Sequence, residues 1–120
     1  ELKKGRRVKM NIKVEQINDV QVAILEGEIN VNNAMELSGA LNKIIKAGGK
    51  QILVDFEKVI FIDSSGLAVL IDAVSCLQDI GGQLRLCNVN RKIKGIFELT
   101  KMHKLMDICD SRDIGLKEFA

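Results

Sequence analysis

Two stretches of this chain share one plan: an amphipathic helical pattern, a glycine pair, then a short apolar run. In the first, Gly48-Gly49 separates a helical pattern over about residues 33–47 from Gln51-Ile52-Leu53-Val54. In the second, Gly81-Gly82 separates about residues 64–80 from Gln83-Leu84-Arg85-Leu86. Each pair ends its helix by supplying the left-handed residue that satisfies the last carbonyls. Strands joined through helices must run parallel, and such crossovers are right-handed. The repeated unit therefore commits the middle of the chain to a parallel sheet.

The flanking segments complete an α/β fold. Val8, Met10, Ile12 and Val14 alternate with Arg7, Lys9, Asn11, Lys13 and Glu15, which predicts a strand with one wet face. Asn18-Asp19 is a turn signal, and a second strand starts at Val20-Gln21-Val22-Ala23-Ile24-Leu25, making an antiparallel hairpin. Leu37, Leu41, Ile44 and Ile45 share one face of the first helix, and Leu67, Leu70, Ile71, Val74 and Leu77 one face of the second. A third helix over about residues 90–99 turns Ile93, Ile96 and Phe97 inward. A short strand near residues 106–109 and a last helix over about residues 112–119 follow. Parallel strands covered on both faces read as continuous apolar runs. Asp55 and Arg85 interrupt two of these strands, so the helices are expected mainly on one face, with part of the other exposed.

At 120 residues and 47% apolar content, one domain can bury a core without staples. The expected division is a basic tail over residues 1–7 and a single domain over 8–120. No run nears the ~18 apolar residues of a membrane span, and no signal peptide is visible, so a cytoplasmic location is expected. A net charge of +2 and the absence of Trp and Tyr argue against nucleic-acid binding. Lys3, Lys4, Arg6, Arg7 and Lys9 form the one positive cluster, read as a solvated tail. Cys76, Cys87 and Cys109 are odd in number, with no close pairing and no metal-ligand spacing. Cys76 and Cys87 lie in apolar surroundings, as buried reduced thiols do, and the lone His103 beside Met102 and Leu105 reads as structural. No catalytic triad, zinc site or P-loop can be assembled, so no metal or cofactor is expected.

One motif carries chemistry. Asp63-Ser64-Ser65-Gly66-Leu67 lies between the apolar run Val59-Ile60-Phe61-Ile62 and the second helix. Backbone N–H groups at a helix start lack intrahelical partners, and the dipole favours negative charge there. Asp63 can cap those donors, and Gly66 removes a side chain that would block a partner's approach to Ser65. A hydroxyl so placed can be a nucleophile, a phosphate acceptor or a cap. No His or Lys stands close in sequence to act as a base for Ser65, which disfavours covalent catalysis. Ligands of open α/β sheets gather at the carboxyl ends of the strands. Glu28-Ile29-Asn30, Asp63 to Gly66 and Asn88-Val89-Asn90 are the three segments expected to meet there.

The segment Val59 to Leu70 resembles the phosphorylation loop of STAS domains, the anti-sigma factor antagonists of bacteria. The resemblance runs from about Val8 to Phe119 and includes Leu25-Glu26-Gly27-Glu28-Ile29, similar to the family's Gly-Glu-Leu-Asp strand end. It implies a STAS-type sheet: strands in sequential order, mostly parallel, an antiparallel edge strand, and helices largely on one side. It implies a non-enzymatic switch in which Ser65, the hydroxyl residue before the glycine, is phosphorylated. The implied partners are an anti-sigma factor with serine kinase activity, whose capture frees a sigma factor, and a metal-dependent serine phosphatase. Glu28, Asn30, Asp63, Ser64, Gly66 and Leu67 are the implied partner-binding residues. Asn30 departs from the family's Asp, keeping the shape and dropping the charge. A stressosome scaffold, or an accessory STAS subunit of an ABC lipid transporter, are the alternatives that the same resemblance allows.

Overall fold

In the computed structural model, which describes residues 10–119, the alternating segment forms β1 (Asn11–Ile17). It turns through Asn18-Asp19 into β2 (Val20–Ile29). Asn18 takes a left-handed φ of 55°, as a two-residue hairpin turn requires, and β1 pairs antiparallel with β2 from Ile17↔Val20 to Asn11↔Glu26. The basic cluster at Lys3, Lys4, Arg6, Arg7 and Lys9, and Val8 at the expected strand start, lie outside the described residues.

The two predicted units follow in order. Helix α1 (Ala34–Lys46) leads to β3 (Gln51–Ile62), and α2 (Ser64–Asp79) leads to β4 (Gln83–Cys87). Then come α3 (Arg91–Leu99), a 3₁₀ turn (Met102–Lys104), β5 (Asp107–Cys109) and α4 (Arg112–Phe119). The five strands lie in the order β1-β2-β3-β4-β5, parallel everywhere except the first pair. Within each glycine pair the two residues do different work. Gly48 and Gly81 hold φ of 99° and 75°, the left-handed turn out of the helix. Gly82 is needed for close approach, since a Cβ there would sit 2.5 Å from the Lys50 carbonyl oxygen.

Helices α1, α2 and α3 cover one face of the sheet. Leu37, Leu41, Leu70, Leu77, Ile93 and Phe97 meet Leu25, Ile29, Ile52, Val54 and Phe56 there in one buried cluster. Each such side chain contributes about 1.5–3 kcal/mol when fully buried. Among the described residues, α4 is the one helix on the other face, where Phe119 joins Val20, Val22, Leu53, Cys87 and Cys109 in a smaller cluster.

Three expectations change, the first because of that last helix. Asp55 and Arg85 do not face water; they are 1% and 8% exposed, beneath α4. Arg112 donates from Nε and Nη2 to Asp55 Oδ2 at 3.1 and 2.8 Å, while Asn88 Nδ2 and the Glu57 N–H donate to Oδ1 at 3.0 and 2.9 Å. Arg85 donates to Glu118 at 2.6 Å, pairs with Asp107 at 2.9 Å and lies 5.0 Å from the Phe119 ring centroid. The first strand, secondly, has no uniformly wet face. Ile12 leans on the larger cluster and Ile17 on the smaller one, while Val14 is 42% exposed. Thirdly, Cys76 is exposed, and the buried thiols are Cys87 and Cys109, register partners on β4 and β5. Burial, then the Asp55 charge, pushes the Cys87 thiol up to about 12, so it stays protonated.

Candidate functional site at the start of helix α2

The first peptide of α2 is held by a single carboxylate. Asp63 sits in extended backbone, and its Oδ1 accepts from the N–H groups of Ser65 and Gly66 at 2.8 and 3.3 Å. This is the N-cap geometry expected from the sequence. The other oxygen reaches further than a cap needs. Asp63 Oδ2 accepts from the Val31 N–H at 3.1 Å, and the Asp63 N–H donates to the Ile29 carbonyl at 3.0 Å. One residue thereby fastens the helix start to the end of β2 and to the loop beyond it.

That loop is closed by asparagines. Asn33 accepts from the Asn30 N–H at 2.9 Å and donates to the Glu28 carbonyl at 2.8 Å. Asn30 Oδ1 accepts from the Asn32 N–H at 2.9 Å, and its Nδ2 donates to Glu28 Oε1 at 3.5 Å. An aspartate at position 30 could accept the first of these bonds but could not donate the second. Asn30 therefore lets Glu28 stand beside it without a second negative charge.

On this frame Ser64 is exposed and Ser65 half-buried, with Asp63, Glu28 and Asn30 also half-buried. The predicted residues Glu28, Asn30, Asp63, Ser64 and Ser65 do come together. Gly66 and Leu67 belong to the core instead, both buried. A Cβ on Gly66 would meet Ile29 Cγ2 at 2.6 Å and Ile62 Cγ1 at 2.7 Å. The missing side chain thus lets α2 press onto β2 and β3, rather than clearing a partner's path to Ser65. Gly66→Ala is expected to lower stability by about 1–3 kcal/mol through overpacking, which urea unfolding measures directly.

The third expected segment stops short. β4 ends its pairing at Asp55↔Cys87, whereas β2 and β3 continue together to Ile29↔Ile62. Asn90 caps α3 through the Ile93 N–H at 2.8 Å and donates to the Val59 carbonyl at 3.2 Å. Asn88 turns to Asp55 on the opposite face. Neither asparagine joins Ser65, because β3 outruns β4.

Two exposed apolar residues carry no motif in the sequence, and one of them is tied to the site through Asp63. Val31 and Met35 are 70% and 80% exposed, on the loop that Asp63 holds and on the first turn of α1. Their signal was an apolar residue in an asparagine-rich loop and another on the polar face of a helix. Among the described residues no group of three His, Cys, Asp or Glu side chains could hold a metal ion. No described helix is long and apolar enough to cross a membrane.

The STAS domain family model matches residues 11–113. The anti-sigma-B factor antagonist of Bacillus subtilis is 29% identical over 109 residues, which cover 90% of this chain and 98% of that protein. An anti-sigma factor antagonist from Mycobacterium paratuberculosis superposes with a TM-score of 0.85 at 22% identity, over 92% of this chain and 93% of that one. The phosphorylated form of SpoIIAA, described as a Bacillus cell fate determinant, superposes at 0.73 with 19% identity, over 92% and 100%. At these identities the solved structures establish the fold alone.

Proposed function

This chain belongs to the STAS domain family, and on that premise we propose that it is an anti-sigma factor antagonist controlled by phosphorylation of Ser65. Unphosphorylated, it binds an anti-sigma factor that carries serine kinase activity, and a sigma factor is set free. The kinase transfers a phosphoryl group from ATP to the Ser65 oxygen, which ends the complex. A metal-dependent serine phosphatase hydrolyses the phosphoserine and resets the switch. All of this takes place in the cytoplasm.

The observation that supports this reading best is the setting of Ser65. Its helix start is fixed by Asp63, its neighbour Ser64 is exposed, and the loop that Asp63 holds presents Val31 as open apolar surface, with the exposed Met35 following in the first turn of α1. A partner docking on Val31 and Met35 gains apolar burial and brings its own base and nucleotide to the hydroxyl. The one histidine, His103, is engaged elsewhere, with the Phe97 carbonyl at 3.3 Å in the turn that follows α3. The relatives support the same reading, since one is named an anti-sigma-B factor antagonist and SpoIIAA has a phosphorylated form.

Affinity capture from the native cell, with mass spectrometry of the bound proteins and of Ser65, tests the proposal. An anti-sigma kinase bound to the unmodified chain, and phosphate on Ser65, are expected. A Met35→Asp variant should lose the kinase, about tenfold or more in affinity, without loss of fold. Phosphate located on another residue, or a kinase held equally well by Met35→Asp, would refute the reading.

A further inference from the structure

The outer edge of β1 has no hydrogen-bonded neighbour among the described residues, because the sheet ends there. Edge strands are normally blunted by shortness, charged side chains, proline, a bulge or a covering element, and the charges on this one, Lys13 and Glu15, are of opposite sign. This strand has seven residues, no proline and unbroken register with β2. Ile17 and Val20 flank a two-residue turn and so form a hydrogen-bonded pair, and such pairs alternate along an antiparallel ladder. Glu15, Lys13 and Asn11 therefore turn their backbone groups toward β2, while Ile12, Val14 and Gln16 direct theirs outward. At the centre of the outward set is Val14, 42% exposed.

We infer that β1 pairs antiparallel with β1 of a second copy of this chain, about a two-fold axis through Val14, joining the two sheets into one. In that register Val14 faces Val14, and each Ile12 faces Gln16 of the other copy. All three are residues whose outward N–H and C=O groups close reciprocal hydrogen bonds. Lys13 then lies opposite Glu15, and Glu15 opposite Lys13, on the face where the two already sit 3.4 Å apart within one chain. Charge selects this register over its neighbours. A slip of two residues one way places Lys13 on the axis against Lys13, and a slip the other way places Glu15 against Glu15. A slip of one residue sends the ladder's backbone groups to the wrong side. The strand reads as self-complementary in one alignment. The two-fold axis reverses the strand direction, so the two Ser65 sites lie at opposite ends of the joined sheet, each open to its own partner.

Sedimentation equilibrium of the full chain from micromolar to millimolar concentration, with variants, tests the pairing. A concentration-dependent dimer is expected. Lys13→Glu should weaken it about tenfold or more, by setting Glu against Glu15 twice. Adding Glu15→Lys to that variant should restore it, because the opposite-charge pairs return in exchanged positions. Val14→Pro removes an outward N–H that β2 does not use, and should leave a folded monomer by circular dichroism. A chain that stays monomeric at millimolar concentration overturns the inference. So does a dimer indifferent to Lys13→Glu and Val14→Pro. A monomer that dimerises only once residues 1–9 are removed overturns it too, in favour of that segment as the occupant of the edge.

Discussion

A phosphate on Ser65 is expected to lower affinity for the anti-sigma kinase about a hundredfold or more, while the melting midpoint moves by only a few degrees. The added group carries about −1.5 to −2 charges near neutral pH. At the first turn of α2 it meets the positive end of the helix dipole, which offsets part of its effect on the fold. Less compensation is available than a bare helix start would give. Asp63 already holds the N–H groups of Ser65 and Gly66, so the phosphoryl oxygens must compete with that carboxylate or turn outward. Turned outward, they add to the negative charge of Asp63, whose other oxygen holds the loop with the exposed Val31. A partner seated there would have to desolvate several negative charges together. Such a penalty runs to about 2–5 kcal/mol, and each 1.4 kcal/mol is tenfold in affinity. Ser65→Ala should keep full affinity and resist the kinase; Ser65→Asp should weaken binding less than phosphate, having one charge and a planar head. Calorimetric titration and thermal melting of the unmodified, phosphorylated and mutant chains read both quantities. Unchanged affinity after phosphorylation would end the switch mechanism. A large fall in the melting midpoint would instead place the effect in stability.

The parts of this fold that could be read from the sequence are those fixed by local chemistry. Gly48-Gly49 and Gly81-Gly82 announced two helix ends, and the parallel sheet followed from the units that they close. Asp63 announced its own cap because an N-cap needs only residues two and three positions ahead. What escaped depended on distant partners. Asp55 and Arg85 read as breaks in buried strands, since a charge in a strand ordinarily faces water. Their cover, α4, lies 57 and 33 residues away at Arg112 and Glu118. The length of β3 was hidden by Glu57 and Lys58 between two apolar runs. The structure carries the strand through them, with register shifts against β2. That extension decides the site: it lifts Asp63 and Ser65 past the end of β4 and leaves Asn88 and Asn90 behind. Gly66 stands out in the motif, but local sequence does not reveal Ile29 and Ile62 pressing on its Cα.

Arg112→Ala is expected to cost about 2–3 kcal/mol, near 10 °C in melting midpoint for a domain of this size, although the residue lies far from Ser65. Its partner is the reason. Asp55 is 1% exposed, and removing the guanidinium leaves a buried carboxylate whose remaining donors are Asn88 and the Glu57 N–H. Those two bonds, together with the partial exposure of Arg112, hold the loss below the 3–5 kcal/mol typical of a fully buried pair. Asp55→Asn should cost less than Arg112→Ala. The stranded arginine stays near Glu15 at 3.9 Å and has access to water, whereas the stranded aspartate has neither. The pH dependence follows from the position of the Asp55 carboxyl. Burial pushes it up, but hydrogen bonds from Asn88, Glu57 and Arg112 and the charge of Arg112 outweigh that and hold it below the usual 3.8. A depressed carboxyl stabilises the fold fully above its unfolded value, and that stability is lost as pH falls through the folded value. Removing Arg112 takes away two of the causes that hold the carboxyl down, while burial still pushes it up. Asp55 therefore takes up a proton in the variant at a higher pH than in wild type. The gap should be full near pH 7 and narrow as pH falls toward the wild-type value below 3.8. Urea unfolding at pH 7 and pH 3 measures the gap directly. An equal gap at both would mean that Arg112 stabilises α4 by packing its stem against the sheet and not by pairing with Asp55.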